Sequence, residues 1–271
     1  MERVISFDLK AEFGLLKKPF SNEKLDLYLT FNMLHKPALL GILGAILGLK
    51  GFKENGKLPE YYEKLNDSIK LGIEPLGENG EYHEKGNFQK INIKYNNGVG
   101  YASREEGGNL IVHEQTLIKP AFRCYLMLDN ENELHQNLYN KIKNVEAEYL
   151  PYLGKNDFSV WWEKESVIEY TFNQDFENID RIHSLFFHTN FKNEKGESIF
   201  DIFNMKDEFT YFERLPVEYE KVENSYQYKL YKFNKAEKFV FSDFPIKKNT
   251  TIEHIFKLIN QKNEVKYIQF Y

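Results

Sequence analysis

The sequence lacks the residues on which several common kinds of site depend. Its one cysteine, Cys124, lies in the apolar run RCYLML, so an internal disulfide is excluded, and we expect a buried structural thiol and a reducing, cytoplasmic setting. None of the seven histidines is three or four residues from another, which argues against a structural zinc site. The sequence also has no Walker loop, no GxGxxG and no GxSxG motif. We therefore expect no metal and no cofactor.

Long hydrophobic runs are also missing. The longest, ALLGILGAILGL at residues 38–49, is shorter than the roughly 20 apolar residues that a membrane-spanning helix needs, so we expect no membrane partner. We interpret it as a buried helix that begins near Lys36 and Pro37, because proline suits the first turn. Gly41, Gly44 and Gly48 share one face at helical spacing. This stripe predicts a very close neighbour, in our interpretation a sheet.

Basic residues do not exceed acidic ones, and the formal net charge is −5. The acidity is concentrated in residues 126–220, which carry 9 basic and 20 acidic side chains. The segments on either side have a slight basic excess. This distribution is compatible with nucleic-acid binding on one side of the molecule and with an acidic face toward a protein partner on another.

The order of periodic segments predicts an α+β protein. Strand, helix, strand, an inserted hairpin, strand, helix and strand follow one another through residues 1–174, which is a ferredoxin-like (RRM-like) βαββαβ domain. The hairpin, at about residues 85–118, has a tip rich in glycine and asparagine and forms a long thumb. Residues 175–271 predict a small β-rich C-terminal extension, with a short helix at TIEHIFKLI, residues 251–259, and a last strand at VKYIQFY.

Four segments resemble one known family in composition and order. They are FDLKAEFGLLKKPF (residues 7–20), PALLGILGAILGL (37–49), QTLIKPAFRCYLML (115–128) and YLPYLGKNDF (149–158). Together they resemble the CRISPR-associated Cas-five family of the RAMP superfamily, subunits of type I Cascade complexes, and most of all the type I-B members. The resemblance implies the ferredoxin-like fold with its thumb and a role in gripping the 5′ handle of the crRNA at the foot of the complex. It also implies a Cascade backbone subunit, the large subunit and target DNA near the foot as partners.

The residues themselves point to single-stranded RNA. Such RNA is held by cations on its phosphates and by aromatic side chains on its splayed bases, and the two residue types alternate around the first strand. The predicted RNA-binding residues are Lys10, Phe13, Lys17, Lys18, Phe20, Lys36, Tyr101, Arg104, Lys119 and Arg123. Tyr101 and Arg104 belong to the thumb tip in this interpretation.

Two other functions stay open at this point. A metal-independent endoribonuclease needs only a general base, a general acid and a cation, for which His35 and His113 are candidates. Relatives that cut RNA use Tyr, Lys and His, and this chain lacks the matching Lys-His pair because Val112 precedes His113. A pure protein-interaction module, docking through its acidic middle, is the third possibility. We expect no catalytic residues.

Overall fold

The structure is a computed structural model, and it describes most of the chain. The described residues are 2–19, 27–52, 57–76, 88–97, 110–174, 179, 181–191, 197–200, 210–223, 229–242, 246 and 254–271. The helices are α1 (Lys36–Leu47), α2 (Glu60–Leu65) and α3 (Glu133–Asn144). The strands are β1 (Glu2–Ala11), β2 (Phe13–Gly14), β3 (Leu27–Tyr28), β4 (Lys70–Leu76), β5 (Lys90–Asn97), β6 (Leu110–Ile118), β7 (Ala121–Asp129), β8 (Val160–Trp161), β9 (Ile168–Asn173), β10 (Phe186–Phe187), β11 (Thr210–Glu223), β12 (Lys229–Ser242), β13 (Ile255–Asn260) and β14 (Val265–Gln269).

A main sheet runs in the order β14-β13-β9-β1-β7-β4, and β8 pairs with the end of β1. Every neighbouring pair in it is antiparallel. Side chains alternate across β1, so that Ile5, Phe7 and Leu9 join the core under the helices, whereas Val4 faces the other side. The predicted α+β class is confirmed, with more sheet than helix.

The glycine-containing segment folds as α1, as predicted. Pro37 lies in its first turn, and Gly48 ends it in the left-handed conformation with φ of 76°. The prediction of a sheet against the glycine stripe is wrong. A Cβ atom at Gly44 would lie 2.4 Å from the Cβ of Tyr61, so the close neighbour is a tyrosine of α2. The stripe therefore makes room for a short helix.

The other helical predictions have different outcomes. The segment PEYYEKLND, residues 59–67, predicts a short helix and contains α2, and the amphipathic segment ENELHQNLYNKIKNV, residues 131–145, contains α3. Helix α3 begins after Asn132, whose side chain accepts hydrogen bonds from the backbone N–H groups of Leu134 and His135. The helix predicted at residues 251–259 is wrong, because Ile255–Asn260 is strand β13. Its backbone pairs with β9 on one side and β14 on the other. Tertiary pairing therefore overrides the local helical pattern.

The C-terminal residues tie the two edges of the main sheet together. Tyr271 and Leu71 exchange backbone hydrogen bonds of 3.0 and 3.2 Å. Ile268 lies over Gly72, where a Cβ atom would be 2.6 Å from the isoleucine side chain. The face opposite the helices is consequently buried, and Tyr125 at its centre is 0% exposed. Strands β13 and β14, from the predicted extension, thus complete the sheet of the N-terminal part, and the domain boundary at residue 174 stays a prediction.

Two smaller sheets flank this body. The long hairpin of β11 and β12, with β10, lays Leu215, Phe239 and Phe241 on the core beneath the helices. The predicted thumb arms are antiparallel strands, paired from Lys90↔Leu117 to Asn97↔Leu110. Strand β6 also pairs with β2 and β3, which anchors the base of the thumb. The tip, residues 98–109, lies outside the described residues.

Candidate nucleic-acid interface

An open groove lies beside α1. Its volume is about 520 Å³, within the range of roughly 300–1,000 Å³ that small ligands occupy. One wall is formed by α1 from Pro37 to Ala45 and by Leu49 just after the helix, and the other is the loop at residues 149–154. The remaining lining residues are Leu15, Leu16, Lys17, His35, Gly51, Phe52, Tyr61 and Tyr219. Three of the four family-like segments therefore meet at this groove.

The loop is held against α1 by its backbone. Glu148 and Tyr149 donate their N–H groups to the carbonyls of Ile46 and Ala45 in the last turn of α1, and the Ala45 carbonyl also accepts from the N–H of Gly48. Leu15 donates to the carbonyl of Leu153 at 3.0 Å. Gly154 has φ of 88°, and a Cβ atom there would lie 1.8 Å from the carbonyl oxygen of Leu15. This position therefore requires glycine.

Large apolar side chains stand exposed around the groove. Tyr149 is 55% exposed, Tyr152 is 45% exposed and Phe52 is 57% exposed. Leu150, between the two tyrosines, is 70% exposed. Grouped exposure of this kind marks a contact surface, and aromatic rings offer flat faces to bases.

Tyrosine hydroxyls form the floor of the groove. The hydroxyls of Tyr61 and Tyr219 lie 3.1 Å apart, and the backbone N–H of Tyr219 donates to the hydroxyl of Tyr62. Burial raises the pKa of Tyr61 and of Tyr219, so both stay protonated and neutral. The floor therefore offers hydrogen-bonding groups without a negative charge.

His35 organises the start of α1. Its ring Nδ1 accepts a hydrogen bond from the backbone N–H of Ala38 at 3.3 Å, and its ring packs edge-on against Phe31. Burial lowers the pKa of His35 to about 3, so the ring is neutral near pH 7. A neutral ring is what this cap needs, because a protonated Nδ1 cannot accept. His35 is therefore suited to positioning the helix, and it is a poor general acid.

Of the predicted residues, three lysines lie near this groove. Lys17 lines it, with its ammonium 3.4 Å from the centre of the Tyr28 ring. Lys36 is the first residue of α1. Lys18 forms an ion pair with Glu213 at 3.2 Å. The amino group of Lys17 is the one best placed for an anion at the groove.

Three other predicted residues lie near the C-terminal end of β1 but do not line the groove. Lys10 forms an ion pair with Glu163, and the exposed ring of Phe13 packs against Phe158. Lys119, in the turn between β6 and β7, donates its backbone N–H to the carbonyl of Glu12. The structure thus places these three apart from the groove lining.

Arg123 has a strong internal partner. Its Nε and Nη2 donate to the two carboxylate oxygens of Asp8 at 2.7 and 2.9 Å. Burial lowers the pKa of Arg123, but the hydrogen bonds to Asp8 and the attraction of nearby negative charge, chiefly that of Asp8, together outweigh burial and raise the pKa overall. A phosphate would have to displace Asp8 to reach this guanidinium. The remaining predicted residues, Phe20, Tyr101 and Arg104, lie outside the described residues.

The closed sheet face bears on how nucleic acid can bind. RRM domains stack bases on aromatic side chains of the open sheet face. Here the corresponding aromatic residues, Tyr125 and Tyr170, are buried beneath β13 and β14. This face of the sheet is therefore not accessible to a base.

Sequence reasoning missed the aromatic residues of the groove. Tyr149, Tyr152, Phe52 and Tyr219 come from three separate segments, and only the fold brings them together. The available signal was the family-like segment YLPYLGKNDF, whose two tyrosines flank a proline at a position without strand or helix periodicity.

The described part of the chain contains neither a candidate metal site nor a candidate membrane-spanning helix. Within those residues, no group of three or more His, Cys, Asp or Glu side chains is placed to hold a metal ion. No described helix has the length and apolar character needed to cross a membrane.

Comparison with known proteins gives structural matches only. No family model matches the chain, and no curated protein matches it. A chain of a CRISPR RNA-guided surveillance complex matches at a TM-score of 0.45 with 10% identity, over 89% of this chain and 90% of that chain. A chain of the Type III-B Cmr-beta, bound to cognate target RNA and AMPPnP, matches at 0.39 with 12% identity, over 90% and 85%. A CRISPR associated protein Cas6 matches at 0.29 with 13% identity, over 89% and 87%. The first and third of these structures are named as CRISPR proteins.

Proposed function

We propose that the protein is a non-catalytic subunit of a type I CRISPR Cascade complex that binds the 5′ handle of the crRNA and caps the foot of the complex. The observation that carries this proposal is the convergence of the family-like segments. Residues 15–17, helix α1 and the loop at residues 149–154 are far apart in sequence and line one groove. The groove combines exposed aromatic rings with a lysine, which is the combination that single-stranded RNA requires.

The sheet topology supports the finer fold assignment in this proposal. The four strands β9-β1-β7-β4 are antiparallel neighbours in that order, and α1 with α2 and then α3 occupy the two connections. This order of strands and helices is the one expected for a ferredoxin-like βαββαβ domain, and it supports that part of the proposal. The hairpin of β5 and β6 is inserted between β4 and β7, where a thumb is expected.

In this proposal the groove holds the handle by two kinds of contact. Bases stack on Tyr149, Tyr152 and Phe52, each stack contributing roughly 1–3 kcal/mol. Phosphates lie near Lys17 and the beginning of α1, where the helix dipole favours negative charge. The Tyr61 and Tyr219 hydroxyls offer hydrogen bonds to base edges. The Cascade backbone subunit, the large subunit and target DNA near the foot are the further proposed partners.

Lys155 links the groove to the thumb. Its amino group donates to a carboxylate oxygen of Glu114, on β6, at 2.7 Å and lies 4.1 Å from the centre of the Tyr95 ring, on β5. Lys155 follows directly after Gly154, which is fixed against Leu15. The thumb base and the groove wall therefore share one rigid connection, so RNA held in the groove would be aligned with the thumb.

The endoribonuclease alternative has less support. His35 is the one histidine among the described residues that line the groove, and it is buried, neutral and engaged as a helix cap. His113 lies within the thumb sheet, with Leu27 on one side and Lys94 on the other. Neither arrangement provides the paired acid and base that RNA cleavage needs.

The test is binding of labelled repeat RNA to the purified full chain in EDTA, resolved on a native gel and on a denaturing gel. Retarded and intact RNA supports the proposal, cut RNA supports the nuclease, and no binding at any salt supports the protein-interaction module.

Tyr149→Ala with Tyr152→Ala should weaken binding about tenfold or more, because up to two stacking contacts are lost. Val265→Ala removes an exposed apolar side chain elsewhere and should leave binding unchanged. Equal binding by the tyrosine variant would show that RNA does not use the groove.

A further inference from the structure

A second surface, outside the groove, lies on the long hairpin of β11 and β12. Arg214 on β11 stands directly opposite Lys238 on β12 in the strand register. Both side chains are exposed. Like charges directly opposite one another on antiparallel strands destabilise a sheet. The register therefore holds two cations together at a cost to the fold.

No described acidic side chain forms an ion pair with either cation. Arg214 donates its Nε to the backbone carbonyl of Ala236 at 3.2 Å. The amino group of Lys238 lies 4.8 Å from the centre of the Phe212 ring. Glu213 is the carboxylate next to Arg214 on β11. Its side chain points to the opposite face of the hairpin and accepts hydrogen bonds from the N–H groups of Asn32 and Met33. Glu237, next to Lys238 on β12, pairs with Leu215 and so projects from the opposite face of the hairpin. Within the described residues, neither cation of the pair therefore forms an ion pair.

An aromatic ring completes this surface. Phe212 is two residues from Arg214 on the same strand, so both side chains project from one face about 7 Å apart. The ring is 42% exposed and has His188 edge-on at 5.9 Å. On the other face of the hairpin Leu215 and Phe239 are buried in the core. One face of the hairpin therefore packs on the core beneath the helices, and the other presents two cations and a ring next to Val240, which is buried in a second, smaller core cluster.

We propose that Phe212, Arg214 and Lys238 form a second binding surface for single-stranded nucleic acid. A phosphate between Arg214 and Lys238 removes their repulsion and draws the Lys238 amino group away from Phe212. The uncovered ring face then accepts the neighbouring base. An acidic peptide would use the two cations but not the ring, and so the exposed phenylalanine favours nucleic acid.

The experiment measures binding of fluorescent oligo(U) and oligo(dT) to the full chain by anisotropy at several salt concentrations. It uses a background that carries Lys17→Ala and Tyr152→Ala, so that groove binding is already weakened. Arg214→Gln with Lys238→Gln should reduce the remaining affinity about tenfold and lower the salt slope by about 1.4, because two phosphate contacts are lost. Phe212→Leu should reduce affinity without changing the slope. The oligonucleotide that responds identifies the source as RNA or DNA.

Lys257→Gln with Lys262→Gln is the matched control, since it removes the same charge from β13 and the turn after it. The Arg214 and Lys238 changes should also leave the melting temperature equal or higher, because they relieve a repulsion. Affinity within twofold of the background protein would overturn the proposal. Competition with poly-glutamate gives a second check. If poly-glutamate of the same total charge displaces both oligonucleotides equally well, the proposal is overturned in favour of an acidic protein as the partner. If the groove hypothesis fails but this surface responds, the two sites are independent.

Discussion

The buried cap of α1 makes a sharp prediction about pH. The pKa of His35 is about 3 in the folded protein because the ring is buried, whereas an unfolded chain has the ordinary value of 6.5. Between these values the unfolded state binds a proton that the folded state does not, so the folded state loses stability as the pH falls below 6.5. Each pH unit in this window costs about 1.4 kcal/mol. Going from pH 7 to pH 5 should therefore cost about 2 kcal/mol through this residue alone.

The matched variant is His35→Asn, because asparagine is a good N-cap and does not titrate. Loss of the ring contact with Phe31 lowers its stability by an amount that does not depend on pH. Urea unfolding of both proteins at pH 7, 6 and 5 gives the difference in free energy of unfolding at each pH. This difference should shift by about 2 kcal/mol in favour of the variant between pH 7 and pH 5. A difference that stays constant with pH would refute the assignment of His35 as a neutral buried cap.

Three further predictions follow from individual contacts. Lys17→Ala should lower the salt slope of RNA binding by about 0.7, whereas Lys262→Ala should not; equal slopes would remove Lys17 from the RNA path. Gly44→Leu should destabilise the fold by about 1–3 kcal/mol, because even a Cβ atom would meet Tyr61, and a melting temperature equal to that of the parent would contradict this packing. Lys266→Met should lower the free energy of unfolding by roughly 1–3 kcal/mol, because it removes a donor from the Glu74 carboxylate, which is 1% exposed. Adding Glu74→Gln should restore most of this stability, and RNA binding should stay unchanged in both variants. If urea unfolding shows no such recovery, the ion pair is not the cause of the loss.

Local signals in the sequence were sufficient for most elements. The apolar periodicity of residues 131–145 predicts helix α3 and the side that it buries, with Leu138 and Ile142 in the core. The Asn132 cap, which the prediction did not use, makes the helix begin at Glu133. The thumb arms alternate in the way that strands do. Strand β13 was predicted as a helix because its apolar residues also fit a helical period. Only its pairing with β9, about 85 residues earlier, decides the outcome, as Leu258 pairs with Phe172.

The candidate site was only partly predictable for the same reason. A lysine in a basic segment can be identified from the sequence, but its partner cannot. Arg123 and Asp8 lie 115 residues apart in sequence and meet because β1 and β7 are neighbours. The groove likewise depends on bonds between residues 45–46 and 148–149. Pairing between distant segments therefore decides which predicted cations stay available to RNA.

The buried face of the main sheet explains why the exposed aromatic rings lie on loops. An open four-stranded sheet would leave Tyr125 and Tyr170 available for stacking, but here Ile268 and Leu258 cover them. The proposed function therefore requires aromatic rings that project from elements outside the sheet face, and the exposed rings of Tyr149, Tyr152 and Phe52 do so from loops beside α1. Loops are positioned less rigidly than strands, and accurate binding needs a fixed geometry. Three contacts supply that rigidity. They are the packing of Gly154 against Leu15, the backbone hydrogen bonds from the loop to the end of α1, and the Lys155–Glu114 ion pair.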